Sequence, residues 1–469
     1  MPYGVGQLSF MFGEEPKDKT QETQATSPCP SIQTEDAGSK PTRKKKWNSL
    51  IDKVYALPNL QRAWERVREN GGAPGKDGIT IEVFAQHASQ WLPALSEDLR
   101  AKTYRPQPVR RVYIPKPGKR GQKRALGIPC VRDRIVQQAI QQILSPIYEP
   151  LFSARSHGFR PEKGCVTALL VVDQALRHGY TWVVDADIAS FFDTVDHERL
   201  LRALNQEVAD GSLLLLIRRI LEAGVFLSQT QTIEPTEEGT PQGGPLSPLL
   251  ANIYLHAFDV QMSEAGYGVV RYADDFVVFT KSRESAEAAL TLARTILEGE
   301  WGLRLHPEKT RVVSVTEGFT FLGFHYFHEA ATGLRYKEVG AKSVSGFREQ
   351  IRRLTPRLRT QRRVRPSHIT RERLSRNKRL TGMIKGLNAY LRGWHWYFKP
   401  VVSRYDPAFG SFDGFVRRRV RLAITGRVGN GWWNWVIPNA LLRGLGLVPL
   451  VEWQRKYQLG QLPSPARKG

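Results

Sequence analysis

Hydrophobic and polar positions alternate with two different periods along the chain, and these periods predict its helices and strands. Apolar residues recur at helical spacing in residues 47–64, 81–95, 133–147 and 167–178. Further helices are predicted at 198–204, 212–226, 245–265 and 285–300. Short β-branched runs predict strands at 109–116, 125–129, 183–188, 268–271, 276–279, 311–315 and 319–324. This order of elements predicts an antiparallel sheet backed by helices, which places the chain in the α+β class.

The pattern changes after residue 340, where basic residues become frequent and apolar ones scarce. Helical spacing continues, but only Glu349 and Glu372 oppose a long series of cations. Such a run is usually a charged helix exposed to solvent. Here almost no acids offset the repulsion between the basic side chains, so phosphates of a nucleic acid are the favoured counterions. The predicted nucleic-acid contacts in this series are Arg352, Arg353, Arg359, Arg362 and Arg363.

The overall charge supports a polyanionic partner. Lys and Arg number 69 against 45 Asp and Glu, which gives a net charge of +24. No stretch approaches the roughly 20 apolar residues needed to span a bilayer, so nucleic acid is favoured over a membrane. The first 20 residues show no secretory signal, and Cys29, Cys130 and Cys165 are too far apart for a disulfide framework. We therefore expect a cytoplasmic protein.

Three acidic residues lie at the ends of predicted strands. Asp274 and Asp275 form a tight turn between two apolar runs, and Asp187 ends another strand. Adjacent carboxylates are costly to bring together unless a cation neutralises them, although a lone Asp-Asp pair is usually a surface turn. The apolar flanks favour a divalent-metal site for phosphoryl transfer, as in a nucleic-acid polymerase. Asp185 lies on the same strand face as Asp187 and is the alternative acid.

Other motifs are less specific. Asp193 and Asp196 are predicted to be helix-capping or surface acids. Residues 239–248 are rich in Gly and Pro, so they form either a plain loop before a helix or one whose Gln242 touches a nucleotide. Lys116 and Arg124 flank a glycine loop that could hold a triphosphate, or could be only a solvated hairpin tip. Lys309 lies in a predicted turn, and the sequence alone gives no reason to assign it a role.

Taken together, these segments resemble the group II intron reverse transcriptase/maturase family over residues 47–400. The motifs occur in the family's order, which makes the resemblance very specific. They are Gly-Ala-Pro-Gly-Lys-Asp-Gly at 72–78, Ile-Pro-Lys at 114–116, Leu-Gly-Ile-Pro at 126–129, His-Gly-Phe-Arg-Pro at 157–161, Asp-Ile at 187–188 with Phe-Phe-Asp at 191–193, Thr-Pro-Gln-Gly-Gly at 240–244, Tyr-Ala-Asp-Asp at 272–275, His-Pro-Glu-Lys-Thr at 306–310 and Phe-Leu-Gly-Phe at 321–324.

The resemblance implies a role for each matching residue. The metal-binding positions are Asp187, Ile188, Asp274 and Asp275, holding a pair of Mg²⁺ ions that Mn²⁺ can replace. Lys116 and Arg124 would contact the triphosphate, with Gln242 beside the nucleotide. Phe191 or Phe192 would be the steric gate against a 2′-hydroxyl, and the spacing from the first aspartate favours Phe192. Leu322 and Gly323 would belong to the primer grip.

The resemblance also implies a right-hand polymerase fold with fingers and palm, followed by an α-helical thumb or maturase domain. The predicted domains are a disordered basic arm at 1–46, an N-terminal extension with fingers at 47–180, the palm at 181–335, the thumb at 336–405 and a basic, aromatic DNA-binding tail at 406–469. Longer relatives carry a Cys/His-bearing HNH nuclease in the last region. No cysteine follows Cys165, so we expect no second-strand cleavage.

The implied function is an RNA-directed DNA polymerase that also binds group II intron RNA. Its partners would be an RNA template, intron RNA, a DNA primer or target and dNTPs. Two alternatives stay open: a maturase that acts mainly in splicing, and a domesticated relative in phage defence or a CRISPR system. Ribozyme sequences flanking the gene would favour the intron role.

Overall fold

The computed structural model describes residues 46–115, 123–241, 243–329, 331–358, 369–401, 409–426 and 435–459. The described chain forms two compact units. One comprises the described residues up to Ile114 together with Lys123–Val312, and the other contains the described residues from Val313 onward. Among the described residues, no helix is long and apolar enough to cross a membrane.

Nine α-helices are described in the first unit. They are α1 (Ile51–Tyr55), α2 (Leu57–Asn70), α3 (Ile81–Arg100), α4 (Val131–Tyr148), α5 (Cys165–Arg177), α6 (His197–Glu207), α7 (Gly211–Leu221), α8 (Ser247–Glu264) and α9 (Arg283–Arg294). The last continues as a π-helical segment, Thr295–Glu300. Helical spacing located these elements because each buries one apolar face; on α4, for example, Ile135, Ile140 and Leu144 are fully buried.

Two four-stranded sheets accompany these helices. Their strands are β1 (Val109–Pro115), β2 (Lys123–Ile128), β3 (Trp182–Asp187), β4 (Val225–Leu227), β5 (Thr232–Glu234), β6 (Val269–Tyr272), β7 (Asp275–Thr280) and β8 (Arg311–Ser314). One sheet has the order β2-β1-β4-β5, and the other has the order β6-β7-β3-β8. In the second sheet, β7 pairs antiparallel with both β3 and β6, which confirms the predicted antiparallel sheet.

The predicted helix at 212–226 is too long. Helix α7 ends at Leu221, and Val225 begins strand β4. Gly224 between them has φ +80°, a left-handed conformation that turns the chain between the helix and the strand and that glycine adopts at little cost. The apolar run in the sequence therefore contains a helix followed by a strand, which hydrophobicity alone does not separate.

The second unit contains a three-stranded sheet and a group of helices. The strands are β9 (Phe319–Phe321), β10 (Phe324–Glu329) and β11 (Leu334–Val339), in the order β11-β10-β9. The helices are α10 (Ala341–Leu354), α11 (Arg371–Ser375), α12 (Lys378–Phe398), α13 (Gly410–Thr425), α14 (Asn439–Gly444) and α15 (Leu450–Gln458). Strands β4, β5 and β11 were not predicted.

The single strand predicted at 319–324 is wrong, because it is a hairpin. Phe321 pairs with Phe324 across a two-residue turn in which Leu322 has φ 49° and Gly323 has φ 79°. Two left-handed residues in succession make the tight turn that matches the twist of antiparallel strands. Alternating aromatic residues on both sides of the turn hid it from the pattern.

Candidate active site

The carboxylate turn, residues 272–275, joins strands β6 and β7. Tyr272 pairs with Asp275, and Ala273 has φ 57°, so a non-glycine residue adopts a left-handed conformation in the turn. On the other side of β7, Asp187 pairs directly with Asp275. Residues directly opposite in an antiparallel pair have Cβ atoms about 5 Å apart on the same face. The sheet therefore brings the predicted acids to one corner.

Ile188 follows directly after strand β3. Its amide donates to the Asp274 carbonyl at 3.3 Å, which connects the end of β3 to the carboxylate turn. The side chain is buried and apolar, so only its backbone carbonyl could serve as a metal ligand.

Lys309 also lies at this corner. Its Nζ forms an ion pair with Asp187 Oδ2, and the two side chains are 45% and 24% exposed. The amide of His306 donates to the Asp187 carbonyl at 2.8 Å, which brings this segment to the end of β3. Sequence reasoning missed this lysine because the contact spans 122 positions. Its occurrence in a motif of the resembled family was the one available signal.

The electrostatics of the corner favour binding of a cation. Burial raises the pKa of Asp275 well above its usual range, and the neighbouring carboxylates Asp185, Asp187 and Asp274 raise it further. Burial also raises the pKa of Asp274, while Arg124 and Lys309 act in the opposite direction. Desolvated carboxylates that repel one another are stabilised by a bound cation, so these acids suit a positively charged ligand.

Asp185 has a different partner. Its Oδ2 lies 3.4 Å from Arg311 Nη2, and its side chain is 14% exposed. Burial raises the pKa of Asp185 to about 6, although Arg311 lowers it. Asp196 caps α6 by accepting the amide of Arg199 at 2.8 Å, and Asp193 is exposed. These two acids therefore have the capping and surface positions that were predicted for them.

Gly158 packs against the back of the carboxylate turn. A Cβ atom at this position would overlap the backbone nitrogen of Ala273. The preceding His157 donates its amide to the Arg271 carbonyl at 2.8 Å, which attaches this segment to β6. The motif at 157–161 was recognised in the sequence, but this supporting contact was not.

The predicted nucleotide-binding residues are only partly described. Arg124 is exposed on β2, close enough for its charge to act on Asp274. Lys116 and Gln242 lie outside the described residues. Phe191 and Phe192, in a short 3-10 turn after β3, are 2% and 8% exposed.

The residues on either side of position 242 contact two parts of the site. Thr240 donates its amide to the Phe192 carbonyl at 2.7 Å. On its other side, a Cβ atom on Gly243 would lie 2.7 Å from the Gly127 carbonyl oxygen of β2. Thr240 therefore lies against the 3-10 turn, and Gly243 lies against the strand that carries Arg124.

Four of the remaining predicted residues are described and belong to the second unit. The Leu322 carbonyl accepts from Tyr397 Oη at 2.7 Å, and the Gly323 carbonyl accepts from the Gly340 amide at 2.8 Å, so helices and hairpin fix this turn. Arg352 and its neighbour in sequence, Arg353, are exposed on α10. The other three predicted contacts, Arg359, Arg362 and Arg363, lie outside the described residues.

The donor set suits a hard divalent cation, although the ligands are not fully assembled. Within the described part of the chain, no three His, Cys, Asp or Glu side chains lie close enough together to hold a metal ion. Lys309 instead pairs with Asp187. Carboxylate oxygens are the ligands that Mg²⁺ prefers, and the register between β3 and β7 places two of them side by side.

Comparison with known proteins identifies the class of this site. Residues 114–326 match the reverse transcriptase (RNA-dependent DNA polymerase) family, and residues 363–437 match the group II intron maturase-specific domain. The first match contains the whole carboxylate corner. The protein therefore has a reverse transcriptase domain followed by a maturase domain, and this class of polymerase uses divalent metal.

The chain is also similar to individual known proteins. Protein YkfC of Escherichia coli (strain K12) is 34% identical over 304 residues, covering 57% of this chain and 78% of that protein. The group II intron-encoded protein LtrA of Lactococcus lactis subsp. cremoris is 42% identical over 197 residues, covering 42% of this chain and 32% of LtrA. A solved partial Cas6-RT-Cas1–Cas2 complex is 26% identical, covers 56% of this chain and 45% of that chain, and has a TM-score of 0.34. The chain belongs to the group II intron reverse transcriptase/maturase family.

Proposed function

We propose that this protein is an RNA-directed DNA polymerase that extends a primer 3′-hydroxyl with dNTPs and binds group II intron RNA. The main support for polymerase activity is the pairing of Asp187 with Asp275 on adjacent strands, next to Asp274. Asp187, Asp274, Asp275 and the Ile188 carbonyl would hold the metal. When bound, a pair of divalent ions supplies Lewis-acid stabilisation of the attacking and leaving oxygens.

The remaining residues of the site would position the substrates. Lys116 and Arg124 would bind the triphosphate oxygens, since a guanidinium fork and an ammonium both suit phosphate. Phe192 would exclude a 2′-hydroxyl from the sugar position, and Gln242 would lie beside the nucleotide. The turn at 322–323 would hold the primer. The family motifs at these positions support the proposed roles.

Primer extension on an RNA template tests the polymerase assignment. We expect Asp187→Asn and Asp274→Asn to abolish dNTP incorporation while the thermal unfolding curve stays close to that of the wild type. Asp193→Asn is the matched control, because this acid lies in the same motif but is exposed. Normal incorporation by the Asp187→Asn and Asp274→Asn variants would overturn the assignment.

Binding of intron RNA is supported by the maturase-specific match at 363–437 and by the exposed cations of α10. The Arg352 guanidinium also lies 5.7 Å from the Phe415 ring of α13, a cation–π arrangement on an exposed arginine. Filter binding should show tighter binding of a group II intron RNA than of a length-matched unrelated RNA at 0.2 M salt. Equal binding with intact primer extension would favour a domesticated role in phage defence or a CRISPR system.

A further inference from the structure

Arg271 is a buried cation that directly precedes the carboxylate turn. It lies on β6 with 0% of its surface exposed, and it is the largest fully buried side chain among the described residues. Arginine is rarely buried to this extent unless it is paired, since removing its charge from water is costly.

The partners of Arg271 come mainly from helix α8. Its Nε lies 2.8 Å from Asp259 Oδ1 and its Nη2 lies 2.5 Å from Asp259 Oδ2, a bidentate ion pair. Its Nη1 donates to Asn252 Oδ1 at 3.1 Å and to the Ala273 carbonyl at 3.0 Å. Each guanidinium nitrogen therefore has a partner, and one of these partners is the backbone of the carboxylate turn.

Asn252 extends the network to the other side of the turn. Its Nδ2 donates to the Gly158 carbonyl at 2.9 Å, and Gly158 packs against the backbone of Ala273. Asn252 and Asp259 are seven positions apart, so they lie on one face of α8, two turns from each other. A single helix face thus supports the carboxylate turn by two routes, through Arg271 and through Gly158.

Stability alone does not explain this network. Desolvation largely cancels the attraction within a buried ion pair, and well-packed apolar residues often stabilise a fold equally well. Conversely, the left-handed Ala273 is a strained position, and such positions persist only where the surroundings hold them. The hydrogen bond from Arg271 to the Ala273 carbonyl provides that restraint at the turn that carries Asp274 and Asp275.

We infer that Arg271, Asp259 and Asn252 form a positioning network that sets the conformation of the carboxylate turn and thereby its affinity for a divalent cation. This inference rests on the proposed polymerase function. Residues that orient metal ligands typically change metal affinity by 10–100-fold when they are removed. The three side chains are buried, with 0–4% of their surface exposed, so we expect them to act through the turn and not by contact with a ligand.

Mn²⁺ binding, measured on the full chain by the loss of the free-ion electron paramagnetic resonance signal, tests the network without requiring activity. We expect Asp259→Asn and Asn252→Ala to bind Mn²⁺ about tenfold more weakly than the wild type. The Mg²⁺ concentration for half-maximal primer extension should rise by a similar factor. Asn252→Ala leaves the ion pair intact, so it decides the question if Asp259→Asn fails to fold.

Met262→Ala is the control, because it creates a cavity at a fully buried position of the same helix. It should lower the unfolding temperature while Mn²⁺ affinity stays unchanged. The inference would be overturned if folded Asn252→Ala bound Mn²⁺ as tightly as the wild type, or if Met262→Ala lost as much Mn²⁺ affinity as Asn252→Ala. Failure of the polymerase assignment is a separate result, in which the wild type binds Mn²⁺ but extends no primer.

Discussion

The buried imidazole of His157 is predicted to make the folded protein sensitive to acid. The side chain is 3% exposed, and its Nδ1 lies 2.8 Å from Thr167 Oγ1. Burial lowers the pKa of His157 from 6.5 to about 4, and nearby cations act in the same direction. These cations are Lys163, Arg160 and Arg271. The imidazole is therefore neutral in the folded protein at pH 7.

The magnitude follows from the two pKa values. Well above pH 6.5 His157 is neutral in both the folded and the unfolded state, so this residue adds no pH dependence there. Between pH 6.5 and 4 the unfolded chain binds the proton and the folded protein does not, so the free energy of unfolding falls as the pH falls. The full difference is about 3 kcal/mol, of which about 2 kcal/mol is lost by pH 5.

Urea unfolding at pH 8 and pH 5 measures this loss. The matched variant is His157→Gln, which is neutral at both pH values, so the other titrating groups contribute equally to the two proteins. We expect the wild type to lose about 2 kcal/mol more than the variant between these pH values. Equal losses would refute the reasoning, because they would show that His157 titrates alike in the folded and unfolded states.

Three further predictions concern the turn, the cation beside it and the basic helix. Gly158→Ala should sharply reduce primer extension, because a Cβ atom would overlap the carboxylate turn, and normal extension by this variant would contradict the packing. The control is Gly382→Ala, in open space on α12, which should raise the free energy of unfolding in urea by up to about 1 kcal/mol. Lys309→Met should change the free energy of unfolding by less than about 1 kcal/mol, because the ion pair of Lys309 with Asp187 is partly exposed. The same variant should slow primer extension, and an unchanged rate would exclude a role of Lys309 beside the carboxylates. Arg352→Gln and Arg353→Gln should each reduce the slope of log RNA affinity against log salt by about 1 in filter-binding titrations, whereas an unaltered slope would rule out a phosphate contact.

Local patterns in the sequence were sufficient for most elements of the fold. Helices with one apolar face and strands with β-branched runs were located because both signals depend on neighbours within a few positions. The exceptions are informative. The 212–226 run and the 319–324 run each contain a turn made by positive φ angles at Gly224 or at Leu322 and Gly323, and no hydrophobic pattern records a φ angle. Where apolar residues continue through a turn, hydrophobic periodicity cannot locate the turn.

For the site, the sequence by itself determined which acids to consider and in what order the motifs occur. Asp187, Asp274 and Asp275 could be selected because strand ends and a flanked Asp-Asp turn are local features. Only the tertiary structure decided what surrounds them. The register that pairs Asp187 with Asp275, and the approach of Lys309 to Asp187, join residues about 90 to 120 positions apart. Such contacts depend on how sheet and helices pack, and this packing leaves no short-range pattern in the chain.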